Sequence, residues 1–397
     1  MTLRIGLVSM HTSPLELPGR ADAGGMNVFT RALAEAIGTA GHSVEFLTRR
    51  SAAEQPDLVA VSQGVSLRYL DAGPPAPLPK SQIDAHIDEF SQGLGRHSYD
   101  VWHSHHWMSG CAALPVAKAQ GVPHVMTYHS VAAHPNSPLR DGEPAESPAR
   151  LAGELQCAAE SDLVLAVSHY EAAVAIGRLN ADPERVAIVR PGVDTLTFHP
   201  TDDPWAPPGV APGYALFAAR LQPLKGPDVA IRAVAQVPKA IRPDLVVAGE
   251  ASPDFAEYAT QLHELVAKLG MSEHVTFLPG QDRSDLARLM RHASVMVVPS
   301  HSETFGMVAL EASASGTPVL AAAAGGLTES TCHERTGLLI NGHDVNEWGR
   351  QLAGLIADPD RREAMGRAGR RRAEELTWPI VADRVLCHYE RLQGIPA

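Results

Sequence analysis

The chain opens on a short apolar run, LRIGLVSM (3–10), passes through a loop ending in Gly24-Gly25, and then places apolar residues at helical spacing from about Asn27 to Thr39. A second apolar run follows from Ser43 to Leu47. Strand, glycine loop, amphipathic helix and strand, in that order, predict the first βαβ unit of a parallel sheet. The alternation continues with strands near 100–103, 123–128, 163–167 and 185–189, and helices over 148–160 and 169–179. DAGPPAPLPK (71–80) and the stretch 134–148, with its four prolines, read as loops, because proline lacks a backbone donor and breaks both kinds of element.

HPTDDPWAPPGVAPG (199–213) is proline-dense and polar, the composition of a linker between domains. Beyond it the pattern restarts. Strands are predicted at 214–219, 244–248, 274–278, 294–298 and 317–321, with helices at 227–236, 254–269, 283–291 and 305–315 and a helical tail over 344–397. The expected fold class is α/β, with two Rossmann-like doubly wound domains facing across a crevice. The predicted boundaries are 1–198, a linker at 199–213, 214–378, and a C-terminal helix in 379–397 packing back on the first domain. Such folds bind ligands at the carboxyl ends of their strands.

Composition narrows the function. At 397 residues the chain exceeds what one core usually supports. A formal charge of −12, from 33 basic and 45 acidic residues, argues against nucleic acid or an anionic membrane as the main partner. The N-terminus lacks a basic leader, and no run reaches the ~18 apolar residues of a membrane span. A cytoplasmic location without membrane insertion is expected. Cys111, Cys157, Cys332 and Cys387 are scattered and form no CxxC pair, as core thiols would be.

Candidate chemistry concentrates in the second half. In YALFAARLQPLKGPD (214–228) a hydrophobic strand ends at Arg220 and a short loop carries Lys225. Two fixed cations at a strand's carboxyl end can bind a diphosphate and stabilise it as a leaving group. Taken alone they are ordinary surface charges; VPSHSETFGMVALEASASGTPVLA (298–321) supplies their partners. Glu303 stands before a helix and Glu311 on its second turn, a separation on the order of 10 Å at helical rise. That distance suits a nucleotide sugar, with a carboxylate for hydroxyls at each end and the amides of Thr304, Phe305 and Gly306 offered to phosphate.

In the first half, Gly24-Gly25-Met26-Asn27 lies between strand and helix, where glycine permits close approach of backbone to phosphate; a tight turn explains two glycines equally well. His103, His105 and His106 have the residue types of a metal site. Strand alternation, however, turns His106 away from the other two, and no acidic ligand is near in sequence, so no metal site is assigned. His129 ends the strand HVMTY, placed either to hydrogen-bond a substrate in the crevice or to be satisfied in the core.

The set Arg220, Lys225, Glu303 and Glu311 resembles family 4 of the retaining glycosyltransferases, with the two-domain GT-B fold. GGMN (24–27), HSHHWMSG (103–110), PLRDGEPAESPAR (138–150), ARLQPLKGPDVA (219–230) and PSHSETFGMVALEA (299–312) resemble the branch that joins N-acetylglucosamine to inositol phosphate in mycothiol assembly. The resemblance implies Glu311 on the donor ribose, Glu303 on the donor sugar, Arg220 and Lys225 on the diphosphate, and Gly24, Gly25 and Asn27 near the donor. It also implies a base read by backbone near Gly280 and Gln281. The resemblance further implies transfer at the front face without a covalent enzyme intermediate, the leaving diphosphate helping to deprotonate the acceptor. No cofactor is required, and Mg2+ is admitted rather than needed. The partners are a nucleoside-diphosphate sugar (UDP or GDP) and a small acceptor, and the resemblance allows a homodimer.

On the acceptor side the sequence departs from that branch. Lys80 and Arg150 match its phosphate-binding cations, but His106 and Ser130 replace a tyrosine and a threonine, and Pro135-Asn136 replaces lysine-asparagine. Each lost charge-assisted bond would cost about 1.5–3 kcal/mol. The leading expectation is therefore an acceptor of a thiol or antibiotic pathway, for example ergothioneine S-glycosylation in lincosamide assembly. The alternative is D-inositol 3-phosphate with UDP-N-acetylglucosamine. A nucleotide-sugar epimerase of the same fold and a non-catalytic sugar-nucleotide-binding module are further rivals.

Overall fold

The structure, a computed structural model, describes residues 2–16, 24–132, 147–251 and 255–395. Two sheets dominate it. The first comprises β1 (Arg4–Val8), β2 (Ser43–Arg49), β3 (Leu58–Ser62), β4 (Val65–Leu70), β5 (Val101–His105), β6 (His124–Thr127), β7 (Leu163–Ala166) and β8 (Val186–Ile188), in the order β3-β4-β2-β1-β5-β6-β7-β8. Every pairing in it is parallel except β3 with β4. The second comprises β9 (Ala215–Ala218), β10 (Leu245–Ala248), β11 (Val275–Leu278), β12 (Val295–Val298), β13 (Val319–Ala322) and β14 (Gly337–Ile340), all parallel, in the order β11-β10-β9-β12-β13-β14.

This order fixes where ligands can sit. In the first sheet the chain runs from β1 outward through β2, then returns to β5 on the other side of β1; in the second, β9 leads to β10 and the return strand is β12. Each reversal opens a crevice at the carboxyl ends of the two central strands. His11 and Gly24 follow β1, His106 follows β5, Arg220 follows β9 and Glu303 follows β12.

Central strands such as LVVA (245–248) and VMVV (295–298) are wholly buried, as strands covered on both faces must be. The helices Pro148–Glu160 and Pro227–Gln236 start where cap chemistry places them, the first with Ser147 Oγ accepting from Arg150 N–H and proline at its start, the second at Gly226-Pro227. The hairpin β3–β4 and strand β14 lie outside the sequence-based pattern. Leu58–Ser62 alternates between exposed and half-buried positions along the sheet edge, so it lacks the continuous apolar run that marks the other strands. The helix expected from 305 begins at Met307. The expected loop over 134–148 falls mostly outside the described residues.

The last helix, Trp378–Leu392, leaves the second domain and packs against Gly25–Thr39 of the first. Trp378 meets Phe29 edge-on at 5.5 Å, and Tyr389 Oη lies 2.5 Å from His103 Nδ1. Among the described residues, no helix is long and apolar enough to cross a membrane.

Candidate active site

On the second domain, Lys225 ends a short turn, Pro223–Lys225, capped by Gly226 at φ 69°. A Cβ at Gly226 would lie 2.4 Å from the Pro299 carbonyl oxygen, so glycine is what lets the cation-bearing loop sit against the loop after β12. The result is a direct pair: Lys225 Nζ donates to Glu303 Oε1 at 2.5 Å, and Ser300 Oγ donates to the same oxygen at 3.2 Å. Lys225 is thus a cation already oriented by a carboxylate.

Glu311 is buried and is held by Arg283 Nη1 at 2.8 Å, while that guanidinium lies 4.6 Å over the Phe198 ring. Gly280 N–H donates to Glu250 Oε1 at 3.1 Å, and Gln281 Nε2 donates to the Pro279 carbonyl at 2.7 Å. Phe305 is buried in the core, so only its backbone can face a ligand, and Gly306 (φ 85°) starts the helix Met307–Ala314. A Cβ at Gly326 would lie 2.0 Å from the Thr304 carbonyl oxygen, which explains how the chain closes beneath this turn.

The first domain meets these groups directly. A Cβ on Gly24 would lie 4.0 Å from Arg220 Nε, and one on Gly25 3.8 Å from Met307 Sδ, so the glycine loop faces the cation and the helix start. Asn27 is turned inward: its Oδ1 accepts from Gly24 N–H at 3.0 Å, and its Nδ2 donates to Thr12 Oγ1 and the Ser13 carbonyl, both at 2.8 Å. Its side chain thus builds the loop rather than projecting from it.

His129 adopts φ 58°, a left-handed conformation that costs a non-glycine residue about 1–3 kcal/mol. Its carbonyl accepts from Thr304 Oγ1 at 2.7 Å, joining the two domains, and its Nε2 lies 2.8 Å from His105 Nδ1. Burial pushes the His129 imidazole down to about 3, so it is neutral in the physiological range. His103 and His105 belong to the same buried stack, their rings 4.2 Å apart. Thr127 Oγ1 donates its proton to the Leu165 carbonyl, so the His103 Nε2–H must donate to Thr127 and His103 Nδ1 must accept from Tyr389. His103 is thereby held at both ring nitrogens, whereas His105 keeps a buried Nε2 without a partner, and among the described residues no group of three metal-ligating side chains is placed to hold an ion.

The expected acceptor residues fall together. Arg150 Nη2 donates to both the Ser130 carbonyl and Ser130 Oγ at 3.2 Å, and Arg150 Nε donates to Glu154 Oε1 at 2.9 Å. Glu154 is fully buried and also accepts from Ala132 N–H through both oxygens at 3.0 Å. Lys80 follows the proline-rich loop, which Arg49 secures through the carbonyls of Pro74 and Ala76.

His106, at φ 73° and buried, packs on His11 with ring centroids 4.2 Å apart. Both imidazoles sit well below their ordinary value, His11 through burial and then the charges of Lys80, Arg150 and Arg220, and His106 through burial, Lys80, His11 and Arg150. His11 Nδ1 and both ring nitrogens of His106 are buried without a hydrogen-bond partner. Unpaired buried donors and acceptors are costly, so three in one place signal room for a ligand. His11, Glu154, Glu250 and Arg283 are absent from the sequence-based set. His11 alone had a signal, its place after β1.

Comparison with known proteins agrees with this geometry. Residues 24–192 match the glycosyl transferase 4-like domain and residues 208–372 match glycosyl transferases group 1. The chain is 41% identical over 403 residues to a D-inositol 3-phosphate glycosyltransferase of Stackebrandtia nassauensis, covering 97% of this chain and 91% of the relative. It is 40% identical over 405 residues to the protein of the same name from Mycobacterium tuberculosis, covering 98% and 84%. Among solved structures, sucrose-phosphate synthase from Thermosynechococcus elongatus superposes with a TM-score of 0.91 at 29% identity, over 98% of this chain and 99% of that one. An Anabaena protein bound to UDP and glucose shares the fold, with a TM-score of 0.77 at 18% identity, over 98% and 100%. With its two matched modules and relatives at about 40% identity over nearly the whole chain, the chain belongs to the retaining, two-domain glycosyltransferases of family 4.

Proposed function

We propose that this glycosyltransferase moves N-acetylglucosamine from its UDP conjugate to D-inositol 3-phosphate with retention of configuration. The observation that carries the acceptor assignment is the pocket where Lys80 and Arg150 bear on the unpartnered nitrogens of His11 and His106. Two cations beside neutral imidazoles suit a phosphate monoester, with each imidazole free to donate one hydrogen bond to a phosphate oxygen or sugar hydroxyl. The names of the relatives at about 40% identity support the same reading. They favour it over an ergothioneine-type acceptor, whose permanent cation would face Lys80 and Arg150.

Donor chemistry follows from the other domain. Arg220 and Lys225 take the diphosphate, Glu303 the sugar hydroxyls and Glu311 the ribose, with Arg283 orienting Glu311. His129 is too weak a base to take the acceptor proton, which passes to the leaving diphosphate. A screen of UDP- and GDP-sugars against D-inositol 3-phosphate, ergothioneine and aminocyclitols, read by mass spectrometry, tests the reading. Product from UDP-N-acetylglucosamine and the inositol phosphate is expected. Product from ergothioneine alone, or donor turnover without any acceptor, overturns it.

A further inference from the structure

The helix His169–Gly177 belongs to the first domain, but its N-terminus is completed by the second. The opening amides of a helix have no partner within it. Here Ser168 Oγ accepts from Glu171 N–H at 3.0 Å, and the two amides before it, those of His169 and Tyr170, donate to Glu329 Oε1 at 2.6 and 3.3 Å. Glu329 lies on Leu327–Ser330, 160 residues beyond His169 in the chain. Its other oxygen, Oε2, accepts from Arg190 Nε at 3.0 Å and from His169 Nδ1 at 2.9 Å. Only 14% of the Glu329 side chain is exposed, so water screens this cluster less than an ordinary surface ion pair.

Glu329 also stands where the chain passes between the domains. Arg190 lies on the exit from the first domain, just before Val193, whose N–H donates to the Leu376 carbonyl and which bridges Thr377 on the returning segment. Arg372, on the approach to that return, donates through Nη2 to the main-chain carbonyl of Glu329. One residue thereby holds the chain both on its way out and on its way back. Towards the crevice, Gly326 N–H donates to the Glu303 carbonyl at 2.8 Å. A Cβ on Gly325 would clash with that same oxygen and lie 3.2 Å from the Tyr170 ring. The main chain of Glu303 therefore rests on the segment that Glu329 pins to the first domain.

We propose that Glu329 is a positioning residue for transfer: by joining the cap of His169–Gly177, Arg190 and the Gly325-Gly326 segment, it sets the angle between the domains and so the placement of the Glu303–Thr304 turn against His129. The Thr304 Oγ1 bond to the His129 carbonyl is the contact this angle delivers. A carboxylate suits the task because one oxygen meets the positive end of a helix while the other meets a guanidinium. Glutamine keeps one acceptor oxygen for the amides and would set an NH2 group against Arg190. A displacement of about 1 Å at a reacting group can cost up to about 10² in rate, which is how a residue remote from the reacting atoms acts on them.

The inference rests on the proposed role of Glu303 towards the donor, and its test separates the two. Small-angle X-ray scattering of the full chain needs no substrate. Wild type should fit the two-domain arrangement of the structure, and Glu329→Ala should give a larger radius of gyration with unchanged circular dichroism. Glu329→Gln should fall between them. With UDP-N-acetylglucosamine and D-inositol 3-phosphate, kcat should drop about ten- to hundred-fold in Glu329→Ala and less in Glu329→Gln. Arg190→Gln leaves the helix cap intact, should behave as Glu329→Gln does, and decides the matter if Glu329→Ala does not fold. A merely structural role would lower the melting temperature and move neither the scattering nor kcat. Wild-type scattering from the folded variants overturns the proposal, and so does wider scattering with undiminished kcat. Wider scattering from the variants, with no transfer by the wild type to inositol phosphate, supports the interdomain role of Glu329 and overturns the substrate reading alone.

Discussion

The two walls of the crevice are built on opposite principles. On the proposed donor side the charges are paired within the protein itself, Lys225 with Glu303 and Arg283 with Glu311. On the proposed acceptor side three central residues are uncharged: His11, His106 and His129 are held neutral by burial, and nitrogens of the first two lack partners. A wall of paired ions is preorganised to receive charge that develops during reaction. A wall of buried, neutral imidazoles discriminates instead, because a substrate that fails to pair with them leaves buried polar atoms unsatisfied.

The largest expected effect breaks the donor wall. Lys225→Ala should lower kcat/KM by roughly 10²–10³, the loss typical of a removed transition-state charge contact, without unfolding the protein. Glu303→Gln should be similarly damaging, and steady-state kinetics with circular dichroism checks both. On the acceptor wall, Arg150→Met should raise acceptor KM by about 10–100-fold, for a lost charge-assisted bond of about 1.5–3 kcal/mol, with donor KM unchanged. Because Glu154 would lose an ion-pair partner, that variant should also melt at a lower temperature. Equal weakening of donor and acceptor would erase the contrast.

Acid should sharpen the contrast next. His11, His103, His105, His106, His124 and His129 are all depressed by burial and all lie in the first domain. The unfolded chain binds protons at these sites below about pH 6.5 while the folded one does not, so stability falls as pH drops through that value. Hydrogen exchange near pH 5 should open the first sheet before the second; simultaneous opening would deny the difference. The smallest effect is His106→Phe, expected to raise acceptor KM only several-fold, consistent with a neutral hydrogen bond of about 1 kcal/mol.

What could be read from the chain followed the same divide. Buried parallel strands announce themselves as apolar runs, and helix starts at Ser147-Pro148 and Gly226-Pro227 carry their own cap chemistry, so the two-domain α/β fold was legible. The edge hairpin β3–β4 was not, because its half-exposed alternation lacks that signal. The residues proposed for the donor stood out because charged residues interrupt apolar stretches at strand ends. Their orienting partners did not: Arg283 and Glu311 are 28 residues apart, and Glu154 reaches Ala132 across 22. Such pairings are created by folding, and nothing local in the sequence encodes them. The inward turn of Asn27 belongs to the same class, since its ligands are Thr12 and Ser13 on the preceding loop.

The final helix has a consequence for anyone who would recombine such enzymes. Because Trp378–Leu392 returns to cover Gly25–Thr39 and delivers Tyr389 to His103, the gene is not divided into two portable halves by its linker. A chimaera cut once between 199 and 213 would pair the first domain with a foreign lid. Exchanging donor specificity cleanly needs two cuts, the second just before Thr377, so that the native tail travels with the domain it closes.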